Sequence, residues 1–315
     1  MRKTDIRKRL LLLIPMVLGI TFLSFALMHL AGSDAVLQKA ESSGIALSQE
    51  VLEAQRAELG LDQPFILQYL NWLGRFLTGD MGTSYVSGKD VCSTFLSKLP
   101  ATLLLTGTSL LLTAGIAIPL GILSAVKQNR FTDGLIRVCS FVGNSLPNFF
   151  VALLLMYLLS IQMPVFPVIA RGIGWRSAAL PTLTLAIAMS AKYLRQVRAA
   201  VLEERNRDYV AGERARGIRF GVTLRKSVLR SCMVTLLTLM SLSAGSLLGG
   251  TAIVEAIFMW DGVGKLAVDA MEMRDYPMIQ AYVVWMALIY ALINLITDVL
   301  YHVLDPRIRL EGERS

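Results

Sequence analysis

The side chains of this 315-residue sequence that could carry chemistry are few, and they are poorly spaced for catalysis. The two histidines, His29 and His302, end the first and last apolar runs. On the topology read below they lie on opposite faces of a membrane, which rules against a two-His metal site or a His-dependent protease. Cys92, Cys139 and Cys232 show no CxxC spacing and read as packing residues, with Cys92 a free thiol. Gly262-Val263-Gly264-Lys265 is the nearest approach to a phosphate-binding loop. It lacks the Gly five residues before Gly264, is followed by Leu266 rather than Ser or Thr, and falls on the outer side, so ATP hydrolysis by this chain is excluded. A membrane-embedded hydrolase or transferase would need a convergent nucleophile, base or metal cluster, and none is found.

What remains is a chemistry of charge. Lys192 to Arg230 holds 11 Lys/Arg (among them Arg195, Arg198, Arg205, Arg207, Arg214 and Arg216) against the four acids Glu203, Glu204, Asp208 and Glu213. Leu202 to Arg216 contains no Pro and ends at Gly217, a residue suited to a left-handed C-terminal cap. A second helix is expected from about Val222 to Leu229, with Val222, Leu224, Val228 and Leu229 as its apolar stripe. One reading is a solvated basic loop that only fixes topology. The other is a docking surface, which the helix, Gly turn, helix form favours.

The elements that must position this segment are apolar. Mean hydropathy is +0.57 and 54% of residues are hydrophobic, above the soluble norm of about 45 to 50% apolar. The expected fold class is an all-α polytopic membrane protein with six transmembrane helices. Residues 1–9 form a cytoplasmic N-terminus and 10–30 an uncleaved first span, too long for a signal-peptide core. Residues 31–100 form an extracytoplasmic region. There Ser48 caps a helix stopped by Gly60, and Pro64 starts another with Phe65, Ile66, Tyr69, Leu70, Leu73, Phe76 and Leu77 as one face. Residues 101–315 form the core, with five spans and a cytoplasmic loop over 195–230.

Those five spans are read as Ala101–Val126, Gly134–Ile161 with a kink at Ser145-Leu146-Pro147-Asn148, Pro181–Tyr193, Cys232–Val254 and Ile279–Leu300. The fifth of the six carries Ser241, Ser243, Gly245, Ser246, Gly249 and Gly250, a small-residue face read as helix packing and compatible with lining a pathway. This topology puts 22 Lys/Arg inside, counting Arg137 at the head of the third span, and 9 outside. Both termini are therefore expected in the cytoplasm. The formal net charge of +8 divides into about +12 inside and −4 outside, which replaces a nucleic-acid reading with a positive-inside one. The second, fourth, fifth and sixth spans carry no charge in their middles, which disfavours ion-driven transport. Glu255 and Asp298 lie at span ends, where solvated or headgroup roles are expected. If transport is uphill, another subunit supplies the energy.

Asp208-Tyr209-Val210-Ala211-Gly212-Glu213-Arg214-Ala215-Arg216-Gly217, followed by Leu224 to Arg230, resembles the EAA loop of ABC importer permeases in the peptide/nickel group. Gly60-Leu61-Asp62-Gln63-Pro64, Gly79-Asp80-Met81-Gly82-Thr83-Ser84, Leu99-Pro100-Ala101-Thr102, Ser145 to Phe149, Glu255-Ala256-Ile257-Phe258, Arg274-Asp275-Tyr276-Pro277 and Asp305-Pro306-Arg307 resemble the same group, in the same order along nearly the whole chain. The resemblance implies a type I ABC importer permease fold in a bacterial inner membrane. It implies a sister permease, two cytoplasmic ATPases that carry ATP and Mg, an extracytoplasmic solute-binding protein, and no cofactor on this chain. Ala211, Gly212 and Glu213 occupy the E-A-A places and Gly217 the following Gly, while the Pro that often closes the motif is Thr235. The contact with the ATPase is thus expected over Asp208, Tyr209, Ala211, Gly212, Glu213, Arg214, Ala215 and Gly217. Length and the compact first outer region lean toward nickel or a nickel chelate as solute, with di- or oligopeptides as the alternative.

Overall fold

The structure is a computed structural model that describes residues 3–30, 48–58, 61–170 and 172–304. The chain is all-helical, 81% helix, with no strand among the described residues. The helices are α1 (Lys3–Leu30), α2 (Gln49–Glu58), α3 (Phe65–Leu77), α4 (Val91–Val126), α5 (Phe131–Ser145), α6 (Asn148–Gln162), α7 (Trp175–Arg205), α8 (Asp208–Ala215), α9 (Phe220–Ile257), α10 (Val263–Glu272) and α11 (Tyr276–Leu304). Among them α1, α4, α9 and α11 are long and apolar enough to cross a membrane, and α5 with α6 makes a fifth if that bent pair is one span.

The expected kink at Ser145 to Asn148 is a full break of 100° between α5 and α6. Leu146 and Pro147 are both extended there, because proline disfavours helical geometry in the residue before it. Helix α4 starts ten residues before the expected Ala101, where the Asp90 carboxylate accepts the Ser93 N–H at 2.7 Å and caps the first turn. The expected fourth span, Pro181 to Tyr193, is the middle of the 31-residue α7. Its C-terminal half carries Lys192, Arg195 and Arg198, so it is not apolar along its length. The second loop helix expected at Val222 to Leu229 is the first turns of α9, continuous with the span and π-helical over Leu224–Val228. The stop at Gly60, the tail from Asp305, and the side chains of Asp298 and His302 lie outside the described residues.

Two compact units divide the chain: Arg2–Thr102 with Asp261–Ala291, and Leu103–Trp260 with Leu292–Ser315. In the first, an aromatic stack joins α1 to α3. Phe22 and Phe25 meet Phe65, Tyr69 and Trp72 at centroid distances of 5.3 to 5.8 Å, and Tyr69 Oη lies 3.0 Å from Thr21 Oγ1. This divides the apolar face expected for α3. Phe65, Tyr69 and Phe76 turn inward with Trp72, while Ile66, Leu70 and Leu77 are left exposed. The same unit is closed by Asp275, which accepts from the Ser84 hydroxyl and from the Tyr85 N–H, and by Trp285 stacked on Phe95 at 5.8 Å. The Gly262 to Lys265 run begins α10: the Val263 N–H donates to Thr102 Oγ1 at 2.9 Å and Lys265 pairs with Asp269.

In the second unit α7 is the central helix, packed by α5, α6 and α9. Two glycines allow close approach to it. A Cβ at Gly121 would lie 2.7 Å from Val197 Cβ and 3.0 Å from the Leu194 carbonyl, and one at Gly143 would lie 3.0 Å from Ala191 Cβ. The close packing expected of Gly249 is not found among the described residues. Gly249 and Gly250 are exposed with open space where a Cβ would go, because α9 turns Leu247, Leu248 and Thr251 inward instead. Glu255, expected at a solvated span end, is fully buried.

Gly121→Ala is expected to destabilise the purified chain by about 1 to 3 kcal/mol through overpacking against backbone. Gly115→Ala, with nothing within 4 Å, should leave it unharmed, and thermal unfolding in detergent compares the two.

Candidate functional site

The site begins where α7 ends. Backbone N–H groups of Asn206 and Arg207 close its last turn on the Glu203 and Glu204 carbonyls, at 3.2 and 3.3 Å. Arg207 is extended and starts α8. The eight-residue α8 is too short to be stable alone in water, so its neighbours must hold it.

Val210 does most of this. It is 1% exposed and packs in a cluster with Ala125, Val197, Val201, Val228 and Cys232, a burial contributing about 2 kcal/mol. Around it, Glu213 accepts from Ser227 Oγ at 2.6 Å, and Tyr209 Oη donates to Glu204 Oε1 at 3.0 Å. Arg214 lies over the Phe220 ring at 5.3 Å, a cation–π contact. The Ser227 hydrogen bond holds the Glu213 carboxyl below the usual carboxylate range, with Arg216 adding in the same direction. A depressed carboxylate contributes above its unfolded pKa and loses that contribution as pH falls through the lower folded value. The anchor therefore persists at neutral and mildly acidic pH.

The end of α8 is a Schellman closure. Ile218 N–H donates to the Glu213 carbonyl at 3.1 Å and Gly217 N–H to the Arg214 carbonyl at 2.9 Å, with Gly217 at φ +77°. The expected contact residues therefore divide into two sets. Asp208, Ala211, Gly212 and Ala215 repeat along one exposed face of α8, and beyond the Asp208 carboxylate at its head this face presents little but backbone and methyl groups. Tyr209, Glu213 and Arg214 fasten the helix to the rest of the unit, and Gly217 closes its end. Gly245, Gly249 and Gly250 lie elsewhere, on α9, and are not brought to this site.

Behind α8 stands a buried ionic cluster that sequence reasoning missed. Asp133, on the first turn of α5, is fully buried. Arg198 of α7 donates to both of its oxygens, Nε to Oδ1 and Nη2 to Oδ2, each at 2.9 Å. Ser124 Oγ of α4 and the Asn129 N–H also donate to it, at 2.5 and 2.9 Å. Two turns further along α7, Arg205 donates to the Ala125 carbonyl at 3.0 Å and to Gln128 at 2.9 Å. The span expected from Gly134 left Asp133 just before it, outside the apolar run. The available signal was an acid at the head of an apolar helix, but Arg130 and Arg137, three residues before and four after, offered local partners that hid the one 65 residues away.

Residues 117–310 match the family model described as binding-protein-dependent transport system inner membrane component, and residues 2–106 match its N-terminal companion. The chain is 37% identical over 302 residues to the glutathione transport system permease protein GsiC of Salmonella typhimurium and to that of Escherichia coli K12, covering 96% of this chain and 97% of each relative. Two crystal forms of the inward-facing MetNI methionine ABC transporter match in fold, with a TM-score of 0.55 and 17% identity over 67% of this chain and 96% of that one.

Asp133→Asn leaves the Arg198 guanidinium short of its counter-charge in a buried place, and a loss of roughly 3 to 5 kcal/mol is expected. Arg137→Gln, which removes a cation 3.8 Å from Asp133 and 55% exposed, should cost under about 1 kcal/mol. Unfolding midpoints of the two variants check the ranking.

Proposed function

The chain belongs to the family of binding-protein-dependent transport system inner membrane components, and from that premise we propose that α8 is the element through which a partner ATPase moves it. The chain is an ABC importer permease of the peptide/nickel-type group, a transport subunit of the bacterial inner membrane and not an enzyme. ATPase and binding-protein partners follow from the family in general. The observation that carries the reading is the division of α8: a face of Asp208, Ala211, Gly212 and Ala215 open to a partner, and an opposite face fixed by Val210 and Glu213. A helix held on one side and bare on the other transmits a push to α4, α7 and α9, which share the Val210 cluster. ATP and Mg belong to the ATPase subunits, and a sister permease completes the pathway.

The solute we propose is a small peptide of the glutathione kind. The similarity to glutathione transport system permease proteins supports this over the nickel chelate toward which length and the first outer region lean. Six spans with both termini cytoplasmic, α7 serving as the fourth, is the topology we propose from the distribution of Lys/Arg, and it puts α8 inside.

Uptake in cells deleted for their own peptide and nickel importers tests the solute. Expression of the whole system should restore entry of labelled glutathione or dipeptide, and restored nickel entry alone overturns the peptide reading. Gly217→Val should insert normally yet uncouple, since a β-branched residue at φ +77° costs roughly 1 to 2 kcal/mol and distorts the closure of α8. Undiminished uptake with full ATPase stimulation in that variant would contradict the role given to α8. For topology, the native cysteines are replaced and single thiols introduced as Ala211→Cys and Lys89→Cys. An impermeant maleimide should label position 89 from outside and position 211 only after lysis.

A further inference from the structure

A groove of about 420 Å³ lies between α5 and α7, lined by Arg137, Val138, Phe141, Arg195 and Arg198. Its composition is unusual for a surface inside a membrane protein, since three guanidinium groups border two large apolar side chains. Val138 and Phe141 are 62% and 68% exposed. They continue an apolar stripe along α5 formed by Phe131, Leu135 and Val142, all exposed as well. Of the three cations, Arg198 is committed to Asp133, and Arg137 approaches the same carboxylate at 3.8 Å. Among the described residues one buried carboxylate faces these three guanidinium groups, an excess of two positive charges in the groove.

From this we propose that the groove holds an anionic phospholipid, its phosphodiester between Arg137 and Arg195 and an acyl chain along Val138 and Phe141. The inference goes beyond the transport role and rests on it only for the placement of α5 in the membrane. Arginine is the residue suited to the headgroup, because its planar fork meets two phosphate oxygens at once. The order of residues along α5 fits the same occupant. Residues 127–130 form the turn between α4 and α5, Arg137 stands about two turns into α5, and Phe141 lies one turn deeper at 1.5 Å per residue, so within the groove the charge lies nearer the turn than Phe141 does, although Phe131 and Leu135 carry the apolar stripe back to the turn itself. An aqueous partner would leave Val138 and Phe141 wet, and a zwitterionic lipid would bring its own cation beside its phosphodiester and so offset no net charge at the edge of hydrocarbon, where an unpaired cation is costly. A protein face would need an acid at membrane depth, whereas anionic headgroups are present there throughout the leaflet.

The test is native mass spectrometry of the full chain with its partner subunits, purified in equimolar phosphatidylglycerol and phosphatidylcholine, beside Arg137→Gln/Arg195→Gln. About tenfold enrichment of retained phosphatidylglycerol is expected in the wild type, the scale of one or two cationic contacts with an anionic headgroup, and near-equal retention in the double variant. A photo-crosslinking residue at position 141 should capture lipid. Equal retention of both lipids by the wild type, enrichment that survives the double variant, displacement by millimolar inorganic phosphate, or crosslinking of position 141 to a partner protein each overturns the proposal. If the double variant fails to fold, the wild-type lipid ratio and the crosslink decide it. No readout here depends on solute uptake, so a wrong solute leaves this result unaffected.

Discussion

The arrangement of the second unit depends on a carboxylate that has no access to water. Asp133 receives four hydrogen bonds from three directions: two from Arg198 of α7, one from Ser124 of α4 and one from the backbone at Asn129. Burial of a charge is unfavourable unless nearly every lone pair is satisfied, and the bidentate guanidinium with two further donors meets that condition. A pair of this kind adds little net stability over a well-packed apolar equivalent. It does fix register, because each alternative placement of α7 against α4 and α5 leaves an unpaired charge inside. The glycine contacts act in the same sense. Gly121 admits Val197 at a distance that any side chain would forbid, so α4 and α7 meet at one position along their length.

That register determines what α8 can do. Val201 and Val197 of α7, Ala125 of α4, and Val228 and Cys232 of α9 form the cluster that receives Val210. Arg205 fastens the end of α7 to the end of α4 through Ala125 and Gln128. A displacement of α8 therefore acts on three long helices at once, through a packed core with low compressibility rather than a flexible tether. The bare face of Ala211, Gly212 and Ala215 suits the other half of that task, since small side chains let a partner's surface come close to the helix backbone.

Much of this was legible in the sequence. The apolar runs, the break at Pro147, the Gly217 stop and the membership of the family follow from periodicity, from proline and glycine, and from motif order. What was not legible has a physical reason in each case. Asp133 and Arg198 are 65 residues apart, and nothing local marks either as the other's partner. The division of the α3 face arises because Trp72 stacks inward with Tyr69 and Phe76, a choice made by α1 rather than by α3's own pattern. The Gly249 region matched a close-packing motif, but a small-residue spacing says only that approach is permitted, and among the described residues nothing lies within 4 Å of where its Cβ would be.

The departure of this chain from the Glu-Ala-Ala pattern now has a structural meaning. In the Ala211-Gly212-Glu213 order the acid falls on the inward side, where it accepts from Ser227 on the first turns of α9. The two small residues fall outward. An acid at position 211 instead would project from the exposed face and could not reach Ser227 from there, because it lies two residues, about 200° of helix, from position 213. The permuted triplet thus exchanges an outward charge for an internal bond that ties α8 to α9. On the role proposed for α8, the grip of a partner ATPase falls to shape, to Asp208 at the head of the helix and to the surrounding arginines, rather than to a carboxylate at the motif's first place.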